Sequence, residues 1–354
     1  MKKLSALTIL LLIGAVAVFA NGGGEEDTMG DEMSATMIAA MATDTGGLGD
    51  QSFNDGAFEG LERGARFGFE ARVVESRQQT DYIPNLLGLA EDGADVVFAV
   101  GFLMEEAVKE SAMNAPDTLF GGIDIAGDES IPNFQGILYR EQESGFLAGV
   151  VAGLMTAEYA SAIPDRLNSD PVVGIVLGMF IPPVERYEVG FIQGVKYVNP
   201  DVQVLSATAG SFTDQAIGRE AALAMIEQGA DIIFHAAGLT GAGAIQAARE
   251  EGVLAIGVDL DQNWVAPDTV LTSALKKIPE SIEVVLESVA NGTFQAGTVV
   301  YGLEQGATGI APFHGFDDSV PQEVKDAVDA ATEAILAGEI QIAATRAEIP
   351  ELID

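Results

Sequence analysis

The sequence predicts an α/β protein made of two similar lobes, each built on a doubly wound parallel sheet. From Thr36 onward, short β-branched apolar runs alternate with helical patterns, which is typical of strand–helix–strand units in parallel sheets. The order of these units repeats in the two halves, and Gly-Ala-Asp precedes an apolar strand at 93–98 and again at 229–234. A chain of 354 residues with 48% hydrophobic residues is large enough for two packed cores.

The predicted elements follow from apolar runs for the strands and from a 3.6-residue apolar period for the helices. We predict strands at Met37–Ala42, Ala71–Glu75, Asp95–Val100, Thr118–Ile123, Val172–Leu177, Val202–Ala207, Asp231–Phe234, Leu254–Val258, Val270–Lys276 and Thr298–Leu303. We predict helices at Asp55–Arg66, Asp81–Asp92, Glu105–Asn114, Pro183–Val198, Asp214–Gln228, Gly241–Glu251, Pro279–Ala290 and Pro321–Ala337. The elements from Val270 onward are expected to cross back between the lobes.

The internal repeat sets the predicted domain boundaries. Lobe 1 is expected to span 36–138 and to be completed by part of 262–295. Lobe 2 is expected to span 139–261 and to be completed by part of 296–345. Because open parallel sheets bind ligands beyond the carboxyl ends of their strands, two facing lobes predict one ligand cleft between two sets of strand-end loops.

The first 35 residues differ in composition from the rest of the chain. Met1–Ala20 has two lysines, an apolar run and a small-residue cleavage pattern, which predict a secretory signal peptide and an exported protein, in the periplasm or on the outer face of the cytoplasmic membrane. The alternative for this segment is an uncleaved membrane anchor. Residues 21–35 are acidic and glycine-rich and predict a flexible linker. With 0 Cys, the chain offers no thiol for lipid attachment or disulfides.

The charge balance excludes one class of partner. There are 54 Asp and Glu against 17 Lys and Arg, a formal net charge of -37. Repulsion between polyanions argues against nucleic acid as a partner. The acidic residues are scattered, so a hydrated acidic surface is expected, as in a saline habitat or simply in an acidic soluble protein.

The strand-end loops hold aromatic residues between polar neighbours. The first loop runs from Asp44 through three glycines to Phe53 and Asn54, and the second lobe has a counterpart at Phe212. Each Phe is either a core or lid residue or a stacking platform for a flat ring. Gly238 lies in a third, glycine-rich loop, which brings backbone N–H groups to a helix start at the cleft.

Three charged residues end predicted strands. Asp124 and Asp259 are interpreted either as helix or turn caps or as acceptors for a pair of sugar hydroxyls. Lys276 and Lys277 form a basic pair in a strongly acidic chain, and either lie at a solvated strand end or include one lysine with a specific acceptor.

Catalysis finds little support in the sequence. The two histidines, His235 and His314, have no spacing that indicates a metal centre or a nucleophile with its base, and both are interpreted as structural. Carboxylates are too abundant for one pair to stand out as acid and base. We therefore expect a binding protein with no catalytic residue, no metal site and no cofactor.

In combination, these loops resemble the basic membrane protein family of ABC-transporter substrate-binding proteins, which includes purine nucleoside receptor lipoproteins of spirochaetes. The resemblance covers the chain from about Thr36. It rests on Asp44-x-Gly-Gly, Asp50-x-Ser-Phe-Asn, Gly101-Phe102, Gly190-Phe191-Ile192-x-Gly194, Lys196-Tyr197-Val198-Asn199-Pro200, Gly210-Ser211-Phe212, Gly229-Ala230-Asp231-Ile232-Ile233-Phe234, Gly257-Val258-Asp259-x-Asp261-Gln262 and Thr272-Ser273-x-Leu275-Lys276.

The resemblance implies a type I periplasmic-binding fold, a purine nucleoside ligand and delivery to a membrane ABC permease. We also expect a monomer. By matching positions, Phe53 and Phe212 would stack the base, and Asp44 and Asn54 would lie in the region that reads it. The residues implied for the ribose are Asp124, Gly238, Asp259 and Lys276.

Two departures from the family pattern stand out. Leu239 replaces a usual Gly and is expected to narrow the cleft, and the Cys of the lipoproteins is absent. Two other readings stay open. One is a receptor for a sugar or another small metabolite on the same fold, and the other is a secreted hydrolase.

Overall fold

The computed structural model describes residues 36–352 of the chain. The predicted signal peptide, 1–20, and the predicted linker, 21–35, lie outside the described residues. The described part contains two six-stranded sheets, one for each lobe.

Both sheets have the doubly wound order that the repeat predicts. Along the first sheet the order is β2-β1-β3-β4-β5-β11, and along the second it is β7-β6-β8-β9-β10-β12. All neighbouring strands are parallel except β10 and β12. The strands are β1 Met37–Thr43, β2 Phe69–Val74, β3 Val96–Val100, β4 Leu119–Ile123, β5 Phe134–Tyr139, β6 Val172–Leu177, β7 Gln203–Thr208, β8 Ile232–Ala236, β9 Leu254–Asp259, β10 Val270–Lys276, β11 Gly297–Tyr301 and β12 Thr308–Ile310.

Helices cover both faces of each sheet and bury its apolar side chains. On the first sheet α1 and α8 pack on one face and α2 and α3 on the other. On the second sheet α4, α5 and α9 pack on one face and α6 and α7 on the other. The helices are α1 Phe53–Arg63, α2 Tyr82–Glu91, α3 Glu105–Asn114, α4 Glu141–Ala157, α5 Pro182–Val198, α6 Gln215–Ile226, α7 Gly238–Glu251, α8 Ile278–Ala290 and α9 Gln322–Leu336.

The chain crosses between the lobes at three places. It passes from β5 to α4 at Arg140, from β10 to α8 at Lys277, and from β11 to β12 through 302–307. Backbone hydrogen bonds join these crossovers, from Arg140 N to Tyr301 O at 2.9 Å and from Lys277 N to Ala307 O at 2.8 Å. The last quarter of the chain is therefore divided between the lobes, because α8 and β11 belong to the first lobe and β10, β12 and α9 to the second.

Helices α4 and α5 approach each other closely through glycines. A Cβ atom at Gly149 would lie 2.2 Å from the backbone oxygen of Phe191, and one at Gly194 would lie 2.0 Å from that of Phe146. A side chain at either position would therefore force the helices apart. Their close contact fixes the starts of both helices, which lie beside the cleft.

Strand β5, helix α4 and strand β12 were not predicted from the sequence. Most residues of α4 are buried, on all its faces, so its apolar residues show no 3.6-residue period against a polar side. Strand β12 has only 3 residues, too few for a sequence pattern.

Candidate functional site

A cavity lies between the carboxyl ends of the two sets of strands. This is where parallel sheets position ligands, because the loops at the switch points of the strand order splay apart there. The structure brings all the predicted site residues to the walls of this cavity. Its lining consists of Asp44, Asp50, Phe53, Asn54, Gly101, Phe102, Asp124, Ile181, Pro183, Val184, Tyr187, Phe212, Ala236, Ala237, Gly238, Val258, Asp259 and Lys276.

One end of the cavity, which we call the amide end, is formed by Asp44, Asp50 and Asn54. The Asn54 side chain donates from Nδ2 to Asp44 Oδ1 at 3.2 Å and to Asp50 Oδ2 at 3.3 Å. Asp50 also accepts the backbone N–H groups of Ser52, Asn54 and Asp55, and so caps the start of α1. Burial raises the pKa of Asp50 to about 7 and also raises the pKa of Asp44, in both cases against the hydrogen bonds that the carboxyl accepts.

A second group of polar residues in the cavity wall, which we call the lysine end, consists of Asp124, Asp259 and Lys276. Lys276 is 1% exposed, and its Nζ lies 2.8 and 2.7 Å from the two oxygens of Asp124 and 3.0 Å from Glu141 Oε1. Glu141 is in turn bound by Arg186 Nε at 2.5 Å. The buried ammonium therefore has an acceptor for each of its three protons.

The charges at the lysine end shift one another's pKa values. Burial alone would lower the pKa of Lys276, but the carboxylates of Asp124, Glu141 and Asp259 raise it. Burial alone would raise the pKa of Glu141, but Lys276 and Arg186 lower it. Burial raises the pKa of Asp124 to about 7, although Lys276 opposes that shift. We interpret Lys276 as charged in the folded protein and held in place by these carboxylates.

Asp259 joins the two lobes at the lysine end. Its carboxylate accepts the Ser52 hydroxyl of the first lobe at 2.6 Å and the Tyr187 hydroxyl of the second at 3.1 Å. Gln262 adds a second link, since its Nε2 donates to the backbone oxygen of Gln51 at 2.9 Å. These contacts close one side of the cavity in the described structure.

Neither strand-terminal aspartate acts as a helix cap. Asp124 and Asp259 both have a left-handed backbone, with φ of 62° and 61°, a region that non-glycine residues rarely adopt. Their carboxylates contact Lys276, Ser52 and Tyr187 in place of helix N–H groups. The matching strain at equivalent strand ends favours the interpretation of both as site residues.

The two predicted platforms come from different lobes. Phe53 begins α1, and its ring centroid lies 5.0 Å from Lys276 Nζ. Phe212 packs into the space left by Gly178, where a Cβ atom would come within 2.3 Å of its ring. Thr240 N donates to the backbone oxygen of Phe212 at 3.1 Å and fixes its loop. Among the described residues, the close aromatic ring pairs do not include Phe53 with Phe212.

Several residues of the site were missed from the sequence. Arg186 and Tyr187 lie in the first turns of α5, directly after strand β6, and their position beyond a strand end is a signal that could have found them. Glu141 begins α4, which the sequence analysis did not predict. Asp50 and Phe102 were used only as parts of motifs.

Two other expectations concern residues away from the cavity wall. His235 Nε2 lies 2.9 Å from Gln262 Oε1, and burial lowers its pKa to about 4, so it is a neutral side chain that orients Gln262. His314 Nε2 lies 2.6 Å from Asp261 Oδ2. Leu239 was expected to narrow the cleft, but among the described residues it is not part of the cavity lining, whereas Gly238 before it is.

Comparison with known proteins agrees with this architecture. The sequence profile of the Bmp family, described as ABC transporter substrate-binding protein PnrA-like, matches residues 37–350. An uncharacterized lipoprotein of Pyrococcus horikoshii is 33% identical over 89% of this chain and 78% of its own length. Basic membrane protein A of Borreliella burgdorferi is 32% identical over 86% of both chains.

Solved structures share the fold. The crystal structure of an ABC transporter system solute-binding protein from Aeropyrum pernix K1 matches with a TM-score of 0.81 and 26% identity over 89% of this chain and 97% of that one. A periplasmic solute-binding protein of Actinobacillus succinogenes, solved with D-allose, matches with a TM-score of 0.58 at 13% identity, over 82% of this chain and 99% of that one. The predicted type I periplasmic-binding fold is confirmed.

Within residues 36–352, none of the helices is both long enough and apolar enough to cross a bilayer. The profile match covers nearly all of the described chain, and the resemblance seen in the sequence is confirmed. The protein therefore belongs to the family of PnrA-like substrate-binding proteins of ABC transporters.

Proposed function

We propose that this protein is the extracytoplasmic receptor of an ABC importer for purine nucleosides. The observation that carries the proposal is that Phe53 and Phe212, one aromatic residue from each lobe, line the same cavity together with polar side chains. A nucleoside has two matching parts. Its flat base can stack on aromatic rings, and its ribose carries hydroxyl groups that can bind polar side chains. Delivery to a membrane permease follows from the family, and we expect the receptor to act as a monomer.

The base is proposed to stack between the two phenylalanines. Stacking of a base on an aromatic side chain contributes about 1 to 3 kcal/mol. Gly178 leaves the space for Phe212, and Phe53, the first residue of α1, lines the same cavity. Because the rings belong to different lobes, a stacked base would hold the two lobes together.

The ribose is proposed to lie at the lysine end. Each oxygen of Asp259 has a second lone pair after accepting from Ser52 or Tyr187, and so can accept a ribose hydroxyl. Asp124 and Lys276 bound the same region, and Gly238, at φ 53°, starts α7 there. Hydrogen bonds to charged acceptors contribute about 1.5 to 3 kcal/mol each, which favours a ligand rich in hydroxyls.

The charge of the cavity favours a neutral ligand over a phosphorylated one. In the described structure, four aspartates line the walls together with a single lysine, and that lysine is fully paired with Asp124 and Glu141. A phosphate group brought into this site would meet carboxylates and no free cation. We therefore expect nucleosides to bind and nucleoside monophosphates to be rejected.

Export from the cytoplasm is part of the proposal. The signal-like segment 1–20 supports it, and so do relatives that carry the name lipoprotein. With 0 Cys, this chain would be retained by some means other than a lipid on cysteine, or released.

Calorimetry with guanosine, inosine, adenosine, their 5′-monophosphates, free purines and pentoses tests the function. We expect nucleosides to bind at least tenfold more tightly than the matching monophosphates and more tightly than the pentoses. A pentose that binds more tightly than every nucleoside would support the sugar receptor, a reading consistent with sugar-bound structures that share the fold. Incubation with a nucleoside, followed by chromatography for released base, tests the hydrolase.

A further inference from the structure

A buried glutamine of the second lobe makes a hydrogen bond to the first lobe beside the cavity. Gln262 is 1% exposed and is not among the described residues that line the cavity, yet its Nε2 donates to the backbone oxygen of Gln51 at 2.9 Å. Gln51 lies between Asp50 and Phe53, which both line the cavity. This hydrogen bond therefore ties a wall-forming segment of the first lobe to the second lobe through protein groups alone.

The direction of the Gln262 amide is fixed within the second lobe. Its Oε1 lies 2.9 Å from the backbone nitrogen of Val258, which can only donate, and 2.9 Å from His235 Nε2. A flipped amide would set donor against donor at Val258 and oxygen against oxygen at Gln51. Gly257 leaves room for this arrangement, because a Cβ atom there would come within 2.7 Å of Oε1. The donor of Gln262 is therefore directed at the first lobe.

His235 supplies a fixed donor to this amide. Because Gln262 Oε1 accepts, Nε2 of His235 must carry the ring proton, and Nδ1 has no partner among the described residues. The ring is fully buried, and burial lowers its pKa to about 4, so His235 stays neutral near pH 7. It packs on Gly241, where a Cβ atom would overlap the ring. His235 is thus a rigid support for Gln262.

Backbone strain is concentrated at the contacts between the lobes. Among the described residues, the non-glycine residues with a left-handed φ are Gln51, Asp124, Asp259 and His314. The first three each make a polar contact with the other lobe, through Gln262, Lys276 and Ser52 respectively. Strained conformations persist where surrounding contacts hold them. The loops at these three positions can therefore relax when the lobes part, and the contacts between the lobes oppose that change.

We propose that the hydrogen bond from Gln262 to Gln51, with His235 as the positioning residue, is a latch that favours the closed lobes and slows the release of a ligand that it does not touch. The apparent affinity of a two-state receptor scales with the fraction of molecules in the binding-competent arrangement. A latch that raises this fraction strengthens the binding of every enclosed ligand by the same factor. The proposal rests on the proposed receptor function, for which nucleosides serve as probes, and adds how the ligand is retained.

Release kinetics test the latch. In Gln262→Met, the side chain keeps its length but has no donor for the backbone oxygen of Gln51. We expect guanosine and inosine to dissociate about three- to tenfold faster in stopped-flow measurements, because one hydrogen bond between the lobes is lost. The affinity ratio between the two nucleosides should stay as in the parent, since the side chain contacts neither. Gln262→Asn, too short to bond both Val258 and Gln51, gives the same test if circular dichroism shows that the Met variant does not fold.

A second glutamine provides the matched control. Gln193 Nε2 also donates to a backbone oxygen, that of Ala343, but both residues belong to the second lobe. Gln193→Met should therefore release nucleosides at the parent rate. Parent-like release in a folded latch variant, equal acceleration in Gln193→Met, or a changed ratio between the nucleosides would overturn the latch.

A double-mutant cycle tests the role of His235. His235→Leu should speed release by itself but add nothing to Gln262→Met, because it acts through Gln262. His235→Gln, whose amide can still donate to Gln262 Oε1, should restore slow release. Additive effects of His235→Leu and Gln262→Met would overturn the positioning role.

Small-angle scattering of the ligand-free protein separates the latch from the nucleoside function. We expect a larger radius of gyration in Gln262→Met than in Gln193→Met, because the lobes part more often. Equal radii would overturn the latch. Absence of nucleoside binding by the parent would overturn the proposed function, and the two radii would still decide whether the latch exists.

Discussion

The two ends of the cavity both bury carboxylates, but they satisfy them in different ways. At the lysine end, Lys276 has a protein acceptor for each of its protons, and Asp259 accepts a hydroxyl on each oxygen. At the amide end, Asn54 Oδ1 has no partner among the described residues. The lysine end is thus part of the folded framework before any ligand arrives, whereas the amide end is completed by the ligand.

The largest expected effect comes from removing the cation of the lysine end. Lys276→Met would leave Asp124 buried without its partner and Glu141 with Arg186 alone, and removal of one member of a buried ion pair costs about 3 to 5 kcal/mol. We expect the free energy of unfolding in urea to fall by about that amount, and nucleoside binding to be lost with it.

The neighbouring lysine provides the control for this change. Lys277 is exposed, so Lys277→Met should change the free energy of unfolding by less than about 0.5 kcal/mol. If Lys276→Met unfolded at the same urea concentration as the parent and as Lys277→Met, the lysine end would not be part of the folded framework. The contrast between the two ends would then disappear.

The next effect concerns the rings between the two ends. Phe53→Ala and Phe212→Ala should each weaken nucleoside binding about tenfold or more, since a loss of about 1.4 kcal/mol is a factor of ten and stacking contributes about 1 to 3 kcal/mol. Leu at either position should rescue only part of the affinity, because it restores apolar area but no flat face. Calorimetry gives the affinities, and circular dichroism confirms folding. Parent-like affinity in both Ala variants would mean that these rings serve the core or the lid.

A further effect, spread over several pH units, is a dependence of stability on pH to which both ends contribute. Burial raises the pKa of Asp50 and of Asp124 to about 7, whereas in the unfolded chain both ionise near about 4. Between those values the folded protein keeps protons that the unfolded chain has lost. The free energy of unfolding should therefore fall as pH rises through this window, by about 1.4 kcal/mol per pH unit for each proton at most.

A variant of Asp50 measures how much of this change in the free energy of unfolding with pH comes from the amide end. Asp50→Asn should flatten the fall in the free energy of unfolding between pH 5 and pH 7, while the exposed Asp117→Asn should leave it unchanged. Urea unfolding at several pH values measures the slope. A free energy of unfolding that rises with pH in the parent would contradict the assigned pKa shifts.

The position of the site could be predicted because the ends of apolar strands can be recognised in the sequence. Runs such as the one ending at Thr43 and the one ending at Lys276 are mostly apolar, and in parallel sheets the residues that follow such runs share one edge. The assignment of Phe53 and Phe212 to counterpart loops of different lobes came from the internal repeat.

Other residues of the site could not be predicted from the positions of strand ends. Glu141 begins a helix that is buried on all sides and so lacks an amphipathic period. The pairing of Asp124 with Lys276 joins residues from different lobes, and among 54 acidic residues no local pattern marks the one that meets a given lysine. The orphaned oxygen of Asn54 depends on the positions of two neighbouring carboxylates, which only the folded chain defines.

The three crossovers have a consequence for biosynthesis. Strand β11, at the edge of the first sheet, and α8, which covers one face of it, are made after all but the last strand of the second sheet. Domains generally fold as units while the ribosome adds residues from the N-terminus, but here the earlier lobe must wait for the later one. A fragment ending at residue 261 would hold four strands of the second sheet and five of the first, yet expose the surface that α8 covers and lack Lys276. Neither lobe can therefore be produced as a contiguous piece of this chain, and assembly of the cleft is among the last events of folding.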